Sequence, residues 1–264
     1  MALTSASSEN TVVVTGASSG IGTEIANVLA SRGHGLTLVA RRADRLEQLA
    51  GDINHRFGVE AMTIPCDLAD RSARAALADR LESGKPVSGL VNNAGFGKFG
   101  DLKENDPDRE REMVELNITA VHDLTVRLLP GMVARGSGAI LNTGSTAGFQ
   151  PLPGVATYGA TKAFVISFSE ALSSELSGTG VSCTVLCPGP VKTEFSEVAG
   201  GNGMEDRLPD FTIVSAEDVA RQAVDGMERG ARIVIPGFAN RISAVGGRIS
   251  PRALVLPLTR KMMG

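Results

Sequence analysis

Seven short apolar runs, rich in β-branched residues and separated by stretches of helical period, constrain the fold of this chain more than any other feature. They are TVVVTG from Thr11, LTLVA from Leu36, VEAMTIPCD from Val59, GLVNNAG from Gly89, AILNTGS from Ala139, VSCTVLCPG from Val181 and RIVIPG from Arg232. None alternates strictly between apolar and polar residues, so each reads as a strand covered on both faces. Strands that alternate with helices are joined by crossovers, and a sheet built that way is parallel. Two of the intervening segments stop at glycines suited to end a helix, Gly33 after IGTEIANVLASR and Gly58 after DRLEQLAGDINHRF. The expected architecture is α/β, three layers, with a doubly wound seven-stranded parallel sheet.

No proline-rich linker, repeat or mid-chain change of composition divides the 264 residues, so one domain is expected. Its bounds are residues 11–237, after a disordered polar extension over 1–10. Residues 238–264 form a basic and apolar C-terminal extension, expected to pack on the domain or on a subunit. That tail carries Arg241, Arg248, Arg252, Arg260 and Lys261, and no acid follows Glu228. A weak peripheral contact with an anionic membrane is its alternative use. The net charge of −3 gives no reason to expect nucleic acid as a partner.

Cys66, Cys183 and Cys187 lack CxxC or Cys/His spacing, and His34, His55 and His122 are scattered. The thiols read as core residues, and no metal site is expected. The opening MALTSASSEN has no basic segment before an apolar run, and nothing later approaches the roughly 18 apolar residues of a membrane span. A reducing cytoplasm fits best.

Directly after the first run comes TGASSGIG, Thr15 to Gly22, opening a helix. Gly16, Gly20 and Gly22 remove Cβ atoms from a tight turn, so that backbone N–H groups at the helix N-terminus can face a pyrophosphate. Strand, glycine turn and helix in that order make a dinucleotide cradle of the Rossmann kind, with Ser18, Ser19 and Ile21 filling the turn. The second run ends LVARR. Selection of NAD(H) usually places an acid there, whereas a 2′-phosphate calls for positive charge. Arg41 and Arg42 supply two guanidiniums and Ser18 a nearby hydroxyl, so NADP(H) is expected in preference to NAD(H). One of the two arginines is expected to be merely solvated.

Further motifs fall in order: CDL after the third strand, NNAG after the fourth, a serine thirteen residues before YGATK after the fifth, and PGPVKT after the sixth. With TGASSGIG, these make the chain resemble the short-chain dehydrogenase/reductase family, in its type of roughly 250 residues, from about Thr11 to Gly237. The resemblance implies that Asp67 and Leu68 lie beside the adenine and that Asn93, Ala94 and Gly95 run along the adenosine side. It implies that Pro188, Gly189, Val191 and Thr193 hold the nicotinamide carboxamide. Asn117, Ser145, Tyr158 and Lys162 match the four catalytic positions, Tyr158 and Lys162 also meeting the cofactor. Gly144 departs from the pattern by removing one hydroxyl.

Tyr158 is the only tyrosine of the chain, and Lys162 follows it at the i+4 spacing that puts two helical residues on one face. One ammonium about 4 Å from the phenol is worth roughly 4 kcal/mol at an effective dielectric of about 20. That would bring a phenol of ordinary pKa, about 10, towards neutrality. The resemblance then implies carbonyl and secondary alcohol interconverted by hydride transfer, with Tyr158 as general acid or base and Ser145 donating to the same oxygen. Lys162 would bond the nicotinamide ribose, and Asn117 would hold a water linking Lys162 to solvent. Intact catalytic positions argue against the alternative, a non-catalytic dinucleotide-binding sensor or scaffold.

The long segment Glu194 to Ser215 reads as a substrate lid. Its Phe195, Val198, Met204, Leu208 and Phe211, with Phe96, Phe99 and Phe149 elsewhere, suggest an apolar substrate or, equally, pack the lid itself. The helix TYGATKAFVISFSEALSSEL is apolar or small nearly all round, which needs cover on more than one side. In the resembling family this helix is a subunit interface, so a homodimer or homotetramer is expected.

Overall fold

The structure, a computed structural model, describes Leu3, residues 6–200 and residues 209–263. Seven parallel strands form one sheet: β1 (Thr11–Thr15), β2 (Leu36–Ala40), β3 (Ala61–Pro65), β4 (Val87–Asn92), β5 (Gly138–Thr143), β6 (Val181–Leu186) and β7 (Ile233–Val234). Their order is β3-β2-β1-β4-β5-β6-β7, with Val12 opposite Leu36 on one side of β1 and Val13 opposite Leu90 on the other. This is a single-domain, doubly wound Rossmann sheet. The last run shrinks to two paired residues, because only Val185 and Leu186 of β6 reach it.

The helices are α1 (Gly20–Ser31), α2 (Ala43–Phe57), α3 (Arg71–Glu82), α4 (Pro107–Val114), α5 (Ala120–Ala134), α6 (Ala156–Glu175), α7 (Phe195–Ala199), α8 (Ala216–Arg229), α9 (Phe238–Ile249) and α10 (Arg252–Met263). Successive strand residues point to opposite faces. Val12 and Val14 therefore join a core with α1, α2 and α8, while Val13 joins a second core with α3, α5 and α6. Strands buried on both sides explain why the seven runs lack alternation. Caps set several helix ends: Asp70 accepts from the N–H of Ala73 at 2.7 Å, Ser215 from that of Asp218 at 3.1 Å, and Gly58 closes α2 at φ +67°. Leu3 is buried against the first core, and the three cysteines are free and buried.

Because every strand runs the same way, each loop that follows a strand emerges at the same edge of the sheet. The chain reverses its winding direction between β1 and β4, which opens a crevice there for a ligand. Among the described residues, no helix is long and apolar enough to cross a membrane.

Candidate active site

The glycine turn after β1 shows why three glycines are needed. Gly16 sits at φ +66° and Gly20 at φ +54°, where a side chain would be strained. A Cβ on Gly22 would stand 2.2 Å from the carbonyl oxygen of Gly16, and one on Gly16 would stand 2.9 Å from Cα of Ala94. The turn thus closes on the NNAG loop at the crevice between β1 and β4. Thr15 binds the two together: its hydroxyl accepts from the N–H of Asn93 at 2.9 Å and of Ala94 at 3.1 Å, and donates to Val91 O. The amide of Asn93 donates to Thr15 O at 3.2 Å. Ser18, Ser19 and Ile21 stand partly exposed in the turn. A cradle that Cβ atoms would fill, opening α1, fits a pyrophosphate.

The two arginines after β2 part company. Arg41 turns to Glu112 of α4 at 3.2 Å, whereas Arg42 points its Nε and Nη2 at the Ser18 hydroxyl, at 3.2 and 3.1 Å. Arg42 and Ser18 thus form one cationic, hydroxyl-bearing corner beside the glycine turn. From β3, Asp67 accepts from the N–H of Ala69 at 3.0 Å, and Leu68 is buried. From β6, Val191 is buried, Thr193 lies 3.2 Å from where a Cβ on Gly20 would be, and Asn240 of α9 packs so tightly on Gly189 that a Cβ would approach within 2.3 Å. Pro188 O accepts from the N–H of Thr146 at 2.9 Å. That bond fastens the β6 loop to the loop carrying Ser145.

Asn117 lies in a single turn of π-helix, Glu115–Thr119, inserted between α4 and α5. Such insertions are rare in helices and recur at functional sites. The residue is 1% exposed, and its side chain is fully committed. Its oxygen accepts from the N–H of Phe96 at 3.1 Å, while its nitrogen donates to Phe96 O at 2.9 Å and to the Thr161 hydroxyl at 3.1 Å. Gly95 makes room, since a Cβ there would stand 2.9 Å from the Asn117 oxygen and 3.5 Å from the Lys162 ammonium.

Ser145 and Tyr158 come together through a close approach of main chain. The turn Thr146–Phe149 presses on α6 at Gly148, where a Cβ would lie 2.7 Å from the Lys162 carbonyl carbon and 2.8 Å from the Ala163 nitrogen. The Ser145 hydroxyl accepts from the N–H of Ala147 at 3.1 Å and stands beside the Tyr158 phenol, close enough to favour its ionisation. Gly144, the departure from the family pattern, has a packing cause. A Cβ there would meet Cys187 Sγ, Ile166 and Val185, each at 3.2 Å, so a hydroxymethyl group would require these side chains to shift.

Lys162 is buried and donates to Thr143 O at 2.7 Å, with its nitrogen 5.7 Å from the centre of the Tyr158 ring. Burial opposes the expected tuning of the phenol by this ammonium. Although part of Tyr158 opens to the cleft, burial pushes its phenol up to about 12, with the neighbouring Ser145 hydroxyl pulling the other way. Burial brings the Lys162 ammonium down to about 8. Desolvation disfavours the charged form of both groups and is the leading cause of each shift.

Of the apolar residues read from the sequence, Phe195 at the start of α7 covers the site, its ring 5.5 Å from that of Tyr158. Gly97 completes that wall, 3.0 Å from Phe195 and 3.4 Å from Tyr158 as measured from an added Cβ. Phe96 and Phe149 are buried instead, Phe96 beneath the Arg109 guanidinium at 3.6 Å. Val198 and Phe211 are exposed, Phe99 bonds the lid through its N–H to Ala199 O at 3.0 Å, and Met204 and Leu208 lie outside the described residues.

Two contributors went unread in the sequence. Glu194 accepts from Arg42 Nη1 at 3.0 Å and from Arg45 Nη1 at 2.7 Å. Arg74 is 2% exposed and donates to Leu68 O at 2.7 Å, while its guanidinium faces Glu115 at 3.5 Å and Asp123 at 3.4 Å. It joins the Asp67–Leu68 turn to the π turn of Asn117. Its signal was present: Arg74 shares a helical face with Leu77, Ala78 and Leu81, all buried.

A family profile described as short chain dehydrogenase matches residues 10–201. Sulfoacetaldehyde reductase 2 of Chromohalobacter salexigens is 39% identical over 216 residues, covering 79% of this chain and 84% of the relative. The very-long-chain 3-oxoacyl-CoA reductase of Anas platyrhynchos is 36% identical over 219 residues, covering 80% of this chain and 67% of the relative. Among solved structures, a short-chain dehydrogenase from Sphingobium yanoikuyae in complex with NADPH superposes with a TM-score of 0.83 at 36% identity, over 90% of this chain and 92% of the other.

Proposed function

The chain belongs to the short-chain dehydrogenase family, and from that premise we propose that it is an NADP(H)-dependent oxidoreductase interconverting an apolar carbonyl compound and its secondary alcohol. One observation carries the reading: Ser145 and Tyr158 stand side by side at the C-terminal edge of the sheet, with the buried Lys162 ammonium 5.7 Å from the centre of the Tyr158 ring. The glycine cradle, Arg42 and Ser18, the Asp67–Leu68 turn, Asn93–Gly95 and Pro188–Thr193 would hold the dinucleotide, and when bound it supplies the hydride. Preference for NADP(H) rests on Arg42 and Ser18 sharing one corner with no acid at the end of β2, and the NADPH bound in the Sphingobium relative supports it.

Tyr158 holds the proton that the carbonyl oxygen takes up, and a phenol raised by burial is fully protonated at neutral pH. Ser145 donates to the same oxygen and polarises the carbonyl. Lys162, lowered to about 8 by burial, can release and regain a proton near physiological pH. The side chain of Asn117 is taken by Phe96 and Thr161, so a water relaying protons to Lys162 would sit on main-chain groups freed by the π turn. The aromatic roof of Phe195 over Tyr158 favours an apolar substrate. Relatives alone would not decide this, since one is named for sulfoacetaldehyde and another for a very-long-chain acyl group.

Tyr158→Phe tests the proposal: NADPH consumption with a panel of apolar ketones stops while NADPH binding persists. Turnover retained in that variant refutes the role of the phenol. A pure binding or scaffold role predicts no turnover in the wild type either.

Two partner readings accompany it. The outer face of α5 and α6 exposes Val126, Val133 and Phe164, with Phe164 stacked on Phe168 at 5.8 Å. It is proposed as a homodimer or homotetramer interface, and a monomer in sedimentation would count against it. On α9, Phe238, Ile242, Val245 and Ile249 form an exposed apolar stripe. Arg241 and Arg252 flank it, donating to the main-chain carbonyls of Ile235 and Gly247. Such a face suits an anionic membrane surface. Co-sedimentation with anionic vesicles that survives Ile242→Asp would remove this reading.

A further inference from the structure

The substrate lid is anchored, at its first residue, to the corner expected to read the cofactor's 2′-phosphate. Arg42 presents two separate edges. Its Nε and Nη2 face the Ser18 hydroxyl, at 3.2 and 3.1 Å, and its Nη1 faces Glu194 at 3.0 Å. The second oxygen of Glu194 is held by Arg45 of α2 at 2.7 Å. Both arginines hold this carboxyl below the usual glutamate range, so it is ionised at neutral pH. Glu194 directly precedes α7, its carbonyl accepts from the N–H of Val198, and the next residue, Phe195, covers Tyr158 at 5.5 Å. Side chains therefore connect the adenosine end of the groove to the catalytic tyrosine, in the order Ser18, Arg42, Glu194, Phe195, Tyr158.

We propose that Glu194 is a positioning residue that couples the 2′-phosphate to the lid. A phosphate seated on the Nε and Nη2 edge of Arg42 fixes the guanidinium plane, and a fixed plane holds Nη1 on Glu194 and Phe195 on Tyr158. Guanidinium suits this use because its planar fork can bind two anions on different edges at once. Each pair here is about two-fifths exposed and weak by itself. The lid is accordingly held loosely until the phosphate orders Arg42, and cofactor choice is felt by the substrate as well as by the adenosine pocket.

The inference rests on reading Ser18 and Arg42 as the 2′-phosphate site, and the test separates the two. Hydrogen exchange of the α7 amides is followed in the full chain with adenosine 2′,5′-bisphosphate and with adenosine 5′-phosphate, neither of which carries a nicotinamide. The bisphosphate should slow exchange about three- to tenfold relative to the monophosphate, from two exposed ion pairs reinforced together. Glu194→Gln should abolish that difference without shifting the melting temperature, and Arg45→Ala should reduce it. Bisphosphate that binds no better than monophosphate sinks the phosphate site and the coupling together. Bisphosphate that binds better yet leaves α7 exchange unchanged, or accelerates it, overturns the coupling alone.

Discussion

Replacing Asn117 with alanine should cost far more than one surface amide is worth. Three bonds are lost, but not all count equally. The Thr161 hydroxyl keeps its bond to Tyr158 O at 2.8 Å, so its loss is small. Phe96 is 4% exposed, and its N–H and C=O would both lose their partners. Each orphaned buried group costs about 1–3 kcal/mol. Water entering the space left by the amide recovers part of this, so the expected destabilisation is about 2–4 kcal/mol. For a domain of this size that is a melting point lower by about 4–8 °C. Far-ultraviolet circular dichroism is the suitable assay, because the chain has no tryptophan for a fluorescence melt. Function should fall as well. Phe96 leads into Gly97, which touches both Phe195 and Tyr158, and misplacing that wall should lower turnover about 10- to 100-fold. A melting point within about 1 °C of the wild type would show that Phe96 does not depend on Asn117, and the reasoning would fail.

The pH dependence has a defined sign. On the proposed mechanism carbonyl reduction needs the protonated phenol, so it should hold through neutrality and fall at alkaline pH, whereas alcohol oxidation should rise over the same range. The inflection should lie between the values of about 8 for Lys162 and about 12 for Tyr158, belonging to the coupled pair; initial rates in both directions check this, and oxidation fastest at acid pH would contradict it. Lys162 also enters stability. A lysine whose folded pKa is depressed binds fewer protons folded than unfolded, so its burial cost is present below about 8 and is relieved as pH rises towards its ordinary value of 10.5. Lys162→Met should therefore flatten the rise of denaturant midpoint across that alkaline window. Gly22→Ala should cost about 2–4 kcal/mol through the contact with Gly16 O at 2.2 Å. It should weaken NADPH binding more than it lowers the melting point, as titration of the dinucleotide would show.

What could be read from residues alone was whatever depends on local pattern. Runs such as TVVVT and AILNT became central strands because burial on both faces leaves a contiguous apolar signature. The glycine turn was legible because its conformational demand is met by residue type. Tyr158 and Lys162 were legible because i and i+4 share a face. Contacts between distant segments were not. Nothing in TEF marks Glu194 as the partner of Arg42, 152 positions away. Phe96 and Phe149 could be read either as lining an apolar substrate site or as packing, and they entered the core, since an aromatic side chain in a loop carries no sign of which way it faces. The phenol's raised pKa was missed for a similar reason: spacing reveals the neighbouring charge, but only packing reveals how much water is removed.

Tyr158, half-open to the cleft on α6, is also the one phenol in a chain without indole. Its ultraviolet spectrum is therefore not diluted by bystanders. An alkaline optical titration of the whole cofactor-free protein reports ionisation at a single atom, and repeating it with Lys162→Met reads their coupling without any substrate. Most enzymes need an isotopic label or an engineered chromophore for such a measurement; here the proposed proton donor is its own dye.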